Sequence, residues 1–420
     1  MSDKSIAFKD GHGPCRFCGA ELKHVFADLG MAPPCQSQVS PANAGRAEAF
    51  FPLIAYVCER CHLVQVPEFV APADIFTEYA YFSSFSDTWV AHVKAYAEHM
   101  MADFGINSKS KVMELASNDG YLLQWFVKQG VPVLGIEPAA NVAKAAEEKG
   151  VPTLVRFFGT QTADEVVRDH GKADLLLGNN VLAHVPDLMD FVAGMKKVLA
   201  PGGVITMEFP HLQRLMERNQ LDTIYHEHYS YFSFIAVEAV FAHHGITLFD
   251  VAELTTHGGS IRIYGRHAEN AARPVTERAK ALRRREEEMG YRTLAPYLSF
   301  NEKAKETKRK ILETLIGLKR AGKKIAVYGA AGKTNTLLNY CGIRRDFVDF
   351  AVDKNPYKQG NYMPGSRIPI YGVERLDAEK PDYLFIGVWN LKEEILAQTA
   401  RMRDWGGKWI LPIPTVEILD

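Results

Sequence analysis

Apolar residues recur along most of the chain in two alternating patterns, which predict strands and helices in turn. From about residue 76 to residue 265, short apolar runs alternate with segments whose apolar positions recur at helical spacing. The runs predict strands at 111–115, 133–137, 173–177, 204–208 and 261–265, and the segments between them predict helices that include 120–129, 141–149 and 186–199. This alternation is typical of βαβ units and predicts a parallel sheet covered by helices.

A second, smaller region with the same alternation follows a long charged stretch. Residues 269–320 are polar with helical spacing, and the run 283–288, three arginines and then three glutamates, predicts a solvated helix face. Beyond this stretch, strands are predicted at 324–328, 347–352, 383–387 and 408–412, and a helix at 334–340.

The first 75 residues follow neither rhythm, since they contain prolines and short strand-like runs such as 50–57. At roughly 150 residues per domain, the 420 residues predict two to three domains. We divide the chain into a small domain (1–75), a central α/β domain (76–268), and a helical connector with a C-terminal α/β domain (269–420).

Composition narrows the classes of function. With 49 basic and 50 acidic residues the net charge is −1, so no basic excess suggests nucleic-acid binding. No apolar run approaches the roughly 20 residues of a membrane span, and no secretory signal is visible at the start. We therefore expect a cytoplasmic protein. No heptad or apolar stripe indicates an oligomer, so a monomer is our expectation, although the oligomeric state stays open.

Four of the six cysteines form two CxxC pairs in the first domain, Cys15 with Cys18 and Cys58 with Cys61. Four thiolates make the tetrahedral set of a structural Zn²⁺ site, and such a closed shell leaves no position for a substrate. A redox pair or buried thiols are the alternatives. Cys35 lies between the pairs and is expected to be a bystander.

The turn after the first predicted central strand has the layout of a cofactor loop. The strand ends at Glu114, the small-residue turn contains Ala116, Asn118 and Asp119, and a helix is expected to begin at Gly120. The next strand ends at Glu137-Pro138, and an acid about 20 residues after the loop can bind both hydroxyls of a ribose. Loop, spacing and acid resemble those of S-adenosylmethionine methyltransferases, whereas the absent GxGxxG pattern disfavours a dinucleotide.

Two further segments contain groups that can move protons. The third strand is followed by Asn180 and His184, at the sheet edge where α/β folds place ligands. The segment Tyr225-His226-Glu227-His228-Tyr229 combines imidazoles, a carboxylate and phenols, which suit proton abstraction beside a carbonyl and stabilisation of the resulting oxyanion. The alternative for this segment is a packing element rich in aromatic residues.

The order of these motifs resembles the sugar C-methyltransferases that act on nucleoside-diphosphate 4-keto-6-deoxyhexoses. The resemblance covers nearly the whole chain and also includes Tyr79-Ala80-Tyr81-Phe82-Ser83-Ser84, His257-Gly258-Gly259 and Tyr328-Gly329-Ala330. It implies a zinc-binding domain, a class I S-adenosylmethionine methyltransferase core with a Rossmann-like fold, and a C-terminal Rossmann-like domain that helps to hold the sugar nucleotide. The implied reaction adds a methyl group to C-3′ through an enolate.

The resemblance also implies roles for single residues. His228 would be the base, Glu227 would orient it, and Tyr225 and His184 would lie near the C-4′ oxygen. An upstream tyrosine would also line the site, and we assign it to Tyr79, with Tyr81 as the competing choice and a substrate contact. His226 receives no role, because relatives differ at this position.

The C-terminal turn Gly329-Ala330-Ala331-Gly332-Lys333 could cradle a diphosphate through backbone N–H groups and the lysine, and His257 could contact the substrate. Methylation at C-5′ or at an oxygen remains an alternative reaction. A non-catalytic scaffold that binds zinc, the sugar nucleotide or S-adenosylmethionine is the alternative from another class.

Overall fold

The structure is a computed structural model that describes residues 13–73 and 82–420. Tyr79 and Tyr81, both predicted to line the active site, lie outside these residues. The described part of the chain forms three β-sheets of four, seven and six strands. Within it, no helix combines the length and hydrophobicity that crossing a bilayer requires.

The N-terminal sheet is antiparallel and borrows one strand from the middle of the chain. Its strands, in spatial order, are β1 His24–Ala32, β2 Phe51–Val57, β3 Val64–Gln65 and β9 Ser230–Tyr231. The last strand comes directly after the segment 225–229, so this segment leads straight into the sheet of the N-terminal domain. The strand predicted at 50–57 is confirmed, while β1 had not been predicted.

The central sheet has seven strands in the order β10-β11-β8-β7-β4-β5-β6. Their bounds are β4 Val112–Leu115, β5 Val133–Ile136, β6 Thr153–Leu154, β7 Ala173–Asn179, β8 Leu199–Pro210, β10 Ile246–Leu254 and β11 Ser260–His267. Five neighbouring strands, β8, β7, β4, β5 and β6, run parallel to one another. Strand β11 is antiparallel to both of its neighbours, β8 and β10. All five predicted strands are present, and β6 and β10 extend the sheet at its two edges.

Seven helices accompany this sheet in the described residues. They are α1 Asp87–Phe104, α2 Leu123–Val127, α3 Ala140–Glu148, α4 Thr160–His170, α5 Leu188–Val198, α6 Leu212–Glu217 and α7 Phe234–His243. The prediction that a helix begins at Gly120 is wrong, because α2 begins three residues later. Gly120 has a φ of +72°, which a right-handed helix does not allow, and Ala116 and Asn118 also have positive φ.

The connector and the C-terminal unit follow. The connector consists of α8 Glu277–Glu288, α9 Ala295–Leu298 and α10 Phe300–Arg320. The last sheet has the order β14-β13-β12-β15-β16-β17, parallel except for β17. Its strands are β12 Ile325–Tyr328, β13 Phe350–Val352, β14 Ile370–Tyr371, β15 Tyr383–Ile386, β16 Lys408–Leu411 and β17 Glu417–Leu419. Its helices are α11 Gly332–Cys341, α12 Arg375–Glu379 and α13 Lys392–Gln398.

The charged run 283–288 is only partly the solvated face that the sequence predicts. Arg284, Glu287 and Glu288 are exposed, but Glu286 is completely buried. Its carboxylate accepts hydrogen bonds from the first two backbone N–H groups of α7 and pairs with buried His211 at 2.7 Å. Glu286 thus caps α7, because a carboxylate at a helix N-terminus satisfies amide groups that have no partner within the helix.

The N-terminal and C-terminal units share a hydrophobic core. Phe26 of β1 stacks on Phe300 of α10 with ring centroids 4.7 Å apart, and the same cluster continues to Ile325 of β12 and Ile235 of α7. This shared core fixes the C-terminal unit against the N-terminal sheet and α7, because burying these large side chains contributes a few kcal/mol each.

Candidate active site

The four predicted zinc ligands lie together. The Sγ atoms of Cys15, Cys18, Cys58 and Cys61 all lie within 4.8 Å of one another. Zn²⁺ bound at about 2.3 Å by four thiolates requires sulfur–sulfur separations only slightly below 4 Å, so the set fits this ion. Gln65 donates an N–H to Cys15 Sγ at 3.1 Å, which is the kind of outer contact that fixes a ligand. The cluster lies in the first domain and would stabilise its fold.

The predicted cofactor loop joins β4 to α2 and is tied to the end of β5 by Glu137. One Glu137 oxygen accepts the backbone N–H of Asn118 at 2.9 Å, and the other accepts that of Ala139 at 2.9 Å. Pro138 between them is half-buried. Each carboxylate oxygen has a second lone pair, so Glu137 can still accept hydrogen bonds from a ribose.

Acceptor atoms without partners surround this loop. In the part of the chain that the structure describes, buried oxygens of Glu114, Asp119, Asn179 and Asn180 make no hydrogen bond of normal geometry. Burial raises the pKa of Glu114 well above its usual range, although Tyr121 lies beside it. Buried polar groups are normally satisfied, so a ligand rich in donors and positive charge fits here. S-adenosylmethionine has an ammonium group, hydroxyls and a sulfonium, and therefore fits this loop.

The loops after β7 and β10 meet next to this region. Asn180 donates an N–H to His257 Nε2 at 3.0 Å, and both residues have positive φ, +54° and +52°. Non-glycine residues with positive φ are strained and are often found at functional sites. Burial, together with the charge of Lys333, lowers the pKa of His257 to about 4.

Tyr225, His184 and His228 form one cluster. The hydroxyl of Tyr225 lies 2.9 Å from His228 Nε2, and the rings of His184 and His228 make an edge contact at 4.6 Å. The backbone N–H of Tyr229 donates to Ala183 O at 2.7 Å and holds the two loops together. His228 is buried, whereas Tyr225, His184 and His257 are half-buried and keep part of their surface accessible. The geometry therefore gives a buried imidazole beside three partly accessible side chains, and the region that these four residues line is called the cleft below.

The tautomer of His228 follows from its partners. Nδ1 lies 3.0 Å from the backbone oxygen of Thr223, which can only accept, so Nδ1 carries the proton. Nε2 therefore has the lone pair and accepts from the Tyr225 hydroxyl. Burial lowers the pKa of His228 well below its usual value, and His184 and Lys333 lower it further. The imidazole is thus neutral near pH 7 and can accept a proton.

Glu227 and His226 point away from His228. The carboxylate of Glu227 accepts from the Cys35 thiol at 3.4 Å, and burial raises the pKa of Glu227 to about 7. In this structure Thr223 O, rather than Glu227, orients the His228 ring. His226 Nε2 lies 3.2 Å from Pro52 O in the N-terminal sheet, which is a structural contact.

One polar cluster beside the cleft was not predicted from the sequence. Glu208, at the end of β8, contacts His92 at 3.1 Å, the Thr256 hydroxyl at 2.8 Å and the guanidinium of Arg262. Burial alone would raise the pKa of Glu208, but these partners outweigh it and lower the pKa to about 2. The sequence did contain a signal for Glu208, because this residue is the last of the predicted strand 204–208, and parallel strands end at the sheet edge where ligands bind.

The C-terminal turn approaches the same cleft. Ala330, assigned to diphosphate binding, donates its N–H to Asp353 at 2.8 Å, and Gly329 has a φ of +92°. Lys333 is half-buried, with Nζ 3.3 Å from His257 O and 4.9 Å from the centre of the Trp389 ring. Trp389 donates its indole N–H to Asp222 at 2.7 Å. Lys333 therefore presents its charge to the cleft between the central and C-terminal units.

The comparisons with known proteins follow the same three parts. Residues 15–76 match a family described as a putative zinc binding domain, residues 89–251 a methyltransferase domain, and residues 255–414 a C-methyltransferase C-terminal domain. C-methyltransferase NovU from Streptomyces niveus is 32% identical over 407 residues, which are 96% of this chain and 96% of that protein.

Other similarities cover only part of the chain. A ubiquinone biosynthesis O-methyltransferase from Methylobacterium sp. (strain 4-46) is 34% identical over 22% of this chain and 38% of its own length. The solved structure of magnesium protoporphyrin IX methyltransferase from Synechocystis PCC 6803 with bound S-adenosylmethionine has a TM-score of 0.33 and 13% identity, covering 43% of this chain and 81% of that chain.

The predicted fold class is confirmed: a zinc-binding N-terminal domain, a central class I methyltransferase domain and a smaller C-terminal α/β domain. The prediction of a methyltransferase is confirmed as well, and the matches agree with S-adenosylmethionine and zinc as its cofactors. Because it aligns with NovU from end to end and its three parts match in the same order, the chain belongs to the C-methyltransferase family.

Proposed function

We propose that the enzyme transfers a methyl group from S-adenosylmethionine to C-3′ of a nucleoside-diphosphate 4-keto-6-deoxy sugar. The observation that supports this most is the His228 imidazole, neutral and oriented by Thr223 O, with Nε2 directed toward Tyr225 at 2.9 Å. A carbon beside a ketone becomes a nucleophile only after it loses a proton, and a neutral imidazole can accept that proton.

The proton balance of this proposal is simple. The proton on C-3′ moves to His228 Nε2, and the electrons of the broken C–H bond delocalise onto the C-4′ oxygen. The hydroxyl of Tyr225, already beside Nε2, turns to donate to this oxygen, and His184 lies within reach of the same cleft. When bound, S-adenosylmethionine supplies a sulfonium-activated methyl group, whose C–S bond breaks as the new C–C bond forms.

The substrate is placed by both α/β units. Glu137 and the acceptor atoms around Glu114 hold the methyl donor on the central side. Lys333 and the start of α11 face the cleft from the C-terminal side and suit a diphosphate. Holding both partners in line contributes the proximity that a reaction at carbon requires.

The test is the fate of the proton beside the ketone. Enzyme is incubated in heavy water with S-adenosylhomocysteine and a nucleoside-diphosphate 4-keto-6-deoxyglucose, and deuterium at C-3′ is followed by NMR. We expect exchange with wild type, and loss by a factor of about 10³ in His228→Ala, since general bases contribute 10²- to 10⁴-fold. Binding of S-adenosylhomocysteine should remain unchanged in the variant.

Product analysis with S-adenosylmethionine completes the test. A methyl group at C-5′ would agree with an enolate mechanism but would contradict C-3′ as the methylated carbon. Methyl on oxygen without exchange would contradict the enolate, and absence of both transfer and exchange would favour a binding protein. The His226→Ala variant serves as a matched control, because this imidazole contacts Pro52 O and should be dispensable for exchange.

A further inference from the structure

One buried contact joins the C-terminal unit to the catalytic segment. The indole N–H of Trp389 donates to Asp222 Oδ2 at 2.7 Å, although the two residues are 167 positions apart. Asp222 is completely buried and Trp389 is 8% exposed. A charge-assisted hydrogen bond in such surroundings is among the stronger contacts that a side chain can make.

Asp222 lies in a short helical turn, Leu221–Thr223, directly before the segment with the proposed base. The next residue in the chain, Thr223, uses its backbone oxygen to accept the Nδ1 proton of His228. The turn that binds Trp389 is therefore the turn that sets the His228 tautomer. Displacement of Asp222 would move the acceptor that leaves Nε2 basic.

The indole is also fixed from its other side. Gly258 has a φ of +89°, and a Cβ at this position would lie 2.5 Å from the Trp389 ring, so only glycine admits the contact. The Gly258 oxygen accepts the side-chain N–H of Gln220 at 2.8 Å, which ties this loop to the residue before the turn. Trp389 thus fits into a pocket made by the turn and the 256–258 loop.

We propose that Trp389 and Asp222 form a positioning pair, through which the C-terminal unit holds the turn 221–223 and thereby the orientation and tautomer of His228. The inference rests on the proposed function, in which His228 is the base. Neither member of the pair touches the reacting atoms. The pair makes proton abstraction depend on correct seating of the C-terminal unit.

Trp389→Phe is the main test, because it retains an aromatic ring and removes the N–H donor. We expect α-proton exchange to fall about tenfold, with KM for the sugar nucleotide changed by less than about twofold, since a lost hydrogen bond to a charge usually has an effect of this size. Asp222→Ala should show the same loss, while Asp222→Asn, which keeps an acceptor oxygen, should restore most of the rate. Combining Trp389→Phe with Asp222→Ala should add little to either.

Trp409→Phe is the matched control. Trp409 is also buried and also donates its indole N–H, to Thr399 at 2.8 Å, but its contacts lie within the C-terminal unit. We expect a lower melting temperature with an unchanged exchange rate. Equal loss of exchange in the Trp409 and Trp389 variants would overturn the proposal, as would a wild-type rate in Trp389→Phe.

A readout without turnover separates this inference from the proposed function. ¹⁵N spectra of labelled histidine, with His228→Ala for assignment, report whether Nδ1 of His228 holds the proton. We expect this tautomer in wild type and in Trp409→Phe, and a mixture in Trp389→Phe. An unchanged tautomer in Trp389→Phe would overturn the positioning role. Absence of exchange in wild type would instead contradict the proposed function.

Discussion

In both α/β units an acid after the second strand accepts two backbone N–H groups, and the two units differ in what surrounds this acid. In the central unit, Glu137 at the end of β5 accepts the N–H of Asn118 in the preceding loop and that of Ala139 two residues on. In the C-terminal unit, Asp353 at the end of β13 accepts the N–H of Ala330 and that of Asn355, both at 2.8 Å. Each acid therefore fixes the loop that follows the first strand of its sheet.

The loops then diverge. The central loop passes through three residues with positive φ before α2 begins, and it leaves the buried Oδ1 of Asp119 without a hydrogen bond. The C-terminal loop turns at once into α11, and Lys358 covers it by donating to Ala330 O at 2.9 Å. We propose that the central loop binds a donor-rich, cationic ligand and that the C-terminal loop presents cations to an anionic one. In this proposal, one architecture serves two opposite kinds of ligand.

The most direct test of this difference replaces Glu137 and Asp353 with alanine, one at a time. Glu137→Ala should weaken S-adenosylhomocysteine binding by roughly 10- to 100-fold, because a charge-assisted contact to the ribose contributes about 1.5–3 kcal/mol. Asp353→Ala should leave this affinity unchanged and raise KM for the sugar nucleotide. Calorimetry and steady-state kinetics measure the two effects.

Glu288→Ala, an exposed carboxylate on the connector, is the control for both variants. If Asp353→Ala impaired cofactor binding as much as Glu137→Ala did, the assignment of one ligand to each unit would be wrong.

Lys333 tests the C-terminal side with a smaller expected effect. Lys333→Met removes the cation that faces the cleft and should raise KM for the sugar nucleotide roughly tenfold, as expected for the loss of one contact to a charge. Lys333 also lowers the pKa of His228 and of His257. Its removal should therefore raise both pKa values and move the acidic limb of the exchange profile to higher pH, because protonated His228 cannot accept a proton.

The measurement is the rate of α-proton exchange between pH 4 and pH 8. Lys354→Met, which removes an exposed lysine of the same unit, should leave the profile unchanged. A profile of Lys333→Met that moved to lower pH would contradict the placement of the charge.

The last prediction concerns the stability of the fold rather than ligand binding. Burial raises the pKa of Glu227 to about 7 in the folded protein, above its ordinary value of 4.5. Its contribution to stability is therefore complete below pH 4.5 and is lost as the pH rises through about 7. Glu227→Gln cannot titrate, so relative to wild type it should gain on the order of 3 kcal/mol between pH 4.5 and pH 8. Urea unfolding at several pH values measures this, and a pH-independent difference would contradict it.

Much of this organisation could be predicted from local pattern. Four cysteines in two knuckles identify the zinc site, and strand ends identify Glu137 and Asn180, because parallel strands deliver their last residues to one edge. The existence of both α/β units follows from alternation, and the family matches confirm it. The exact start of α2 was not predicted, although Asn118 and Gly120 are residue types that often adopt positive φ; only the positive φ of Ala116 has no such signal in the sequence.

Contacts distant in sequence could not be predicted. Nothing in the run 283–288 distinguishes Glu286, which is buried against His211, from its exposed neighbours. The bond between Trp389 and Asp222 joins two domains, and the orientation of His228 depends on a backbone oxygen rather than on a side chain. Such relations depend on how whole units pack, and a single sequence contains no local signal for them.

The strand β9 has a consequence for engineering. Residues 229–231 pair with β3 of the zinc-binding sheet, and Val66 donates its N–H to Tyr229 O at 3.1 Å. In a chimaera whose first 75 residues come from a relative, the relative's β3 would therefore have to pair with residues 229–231 of this chain, next to the active-site segment. Exchange of the N-terminal domain should succeed only when residues 229–231 are transplanted with it, so the natural unit of recombination in this protein is discontinuous in sequence.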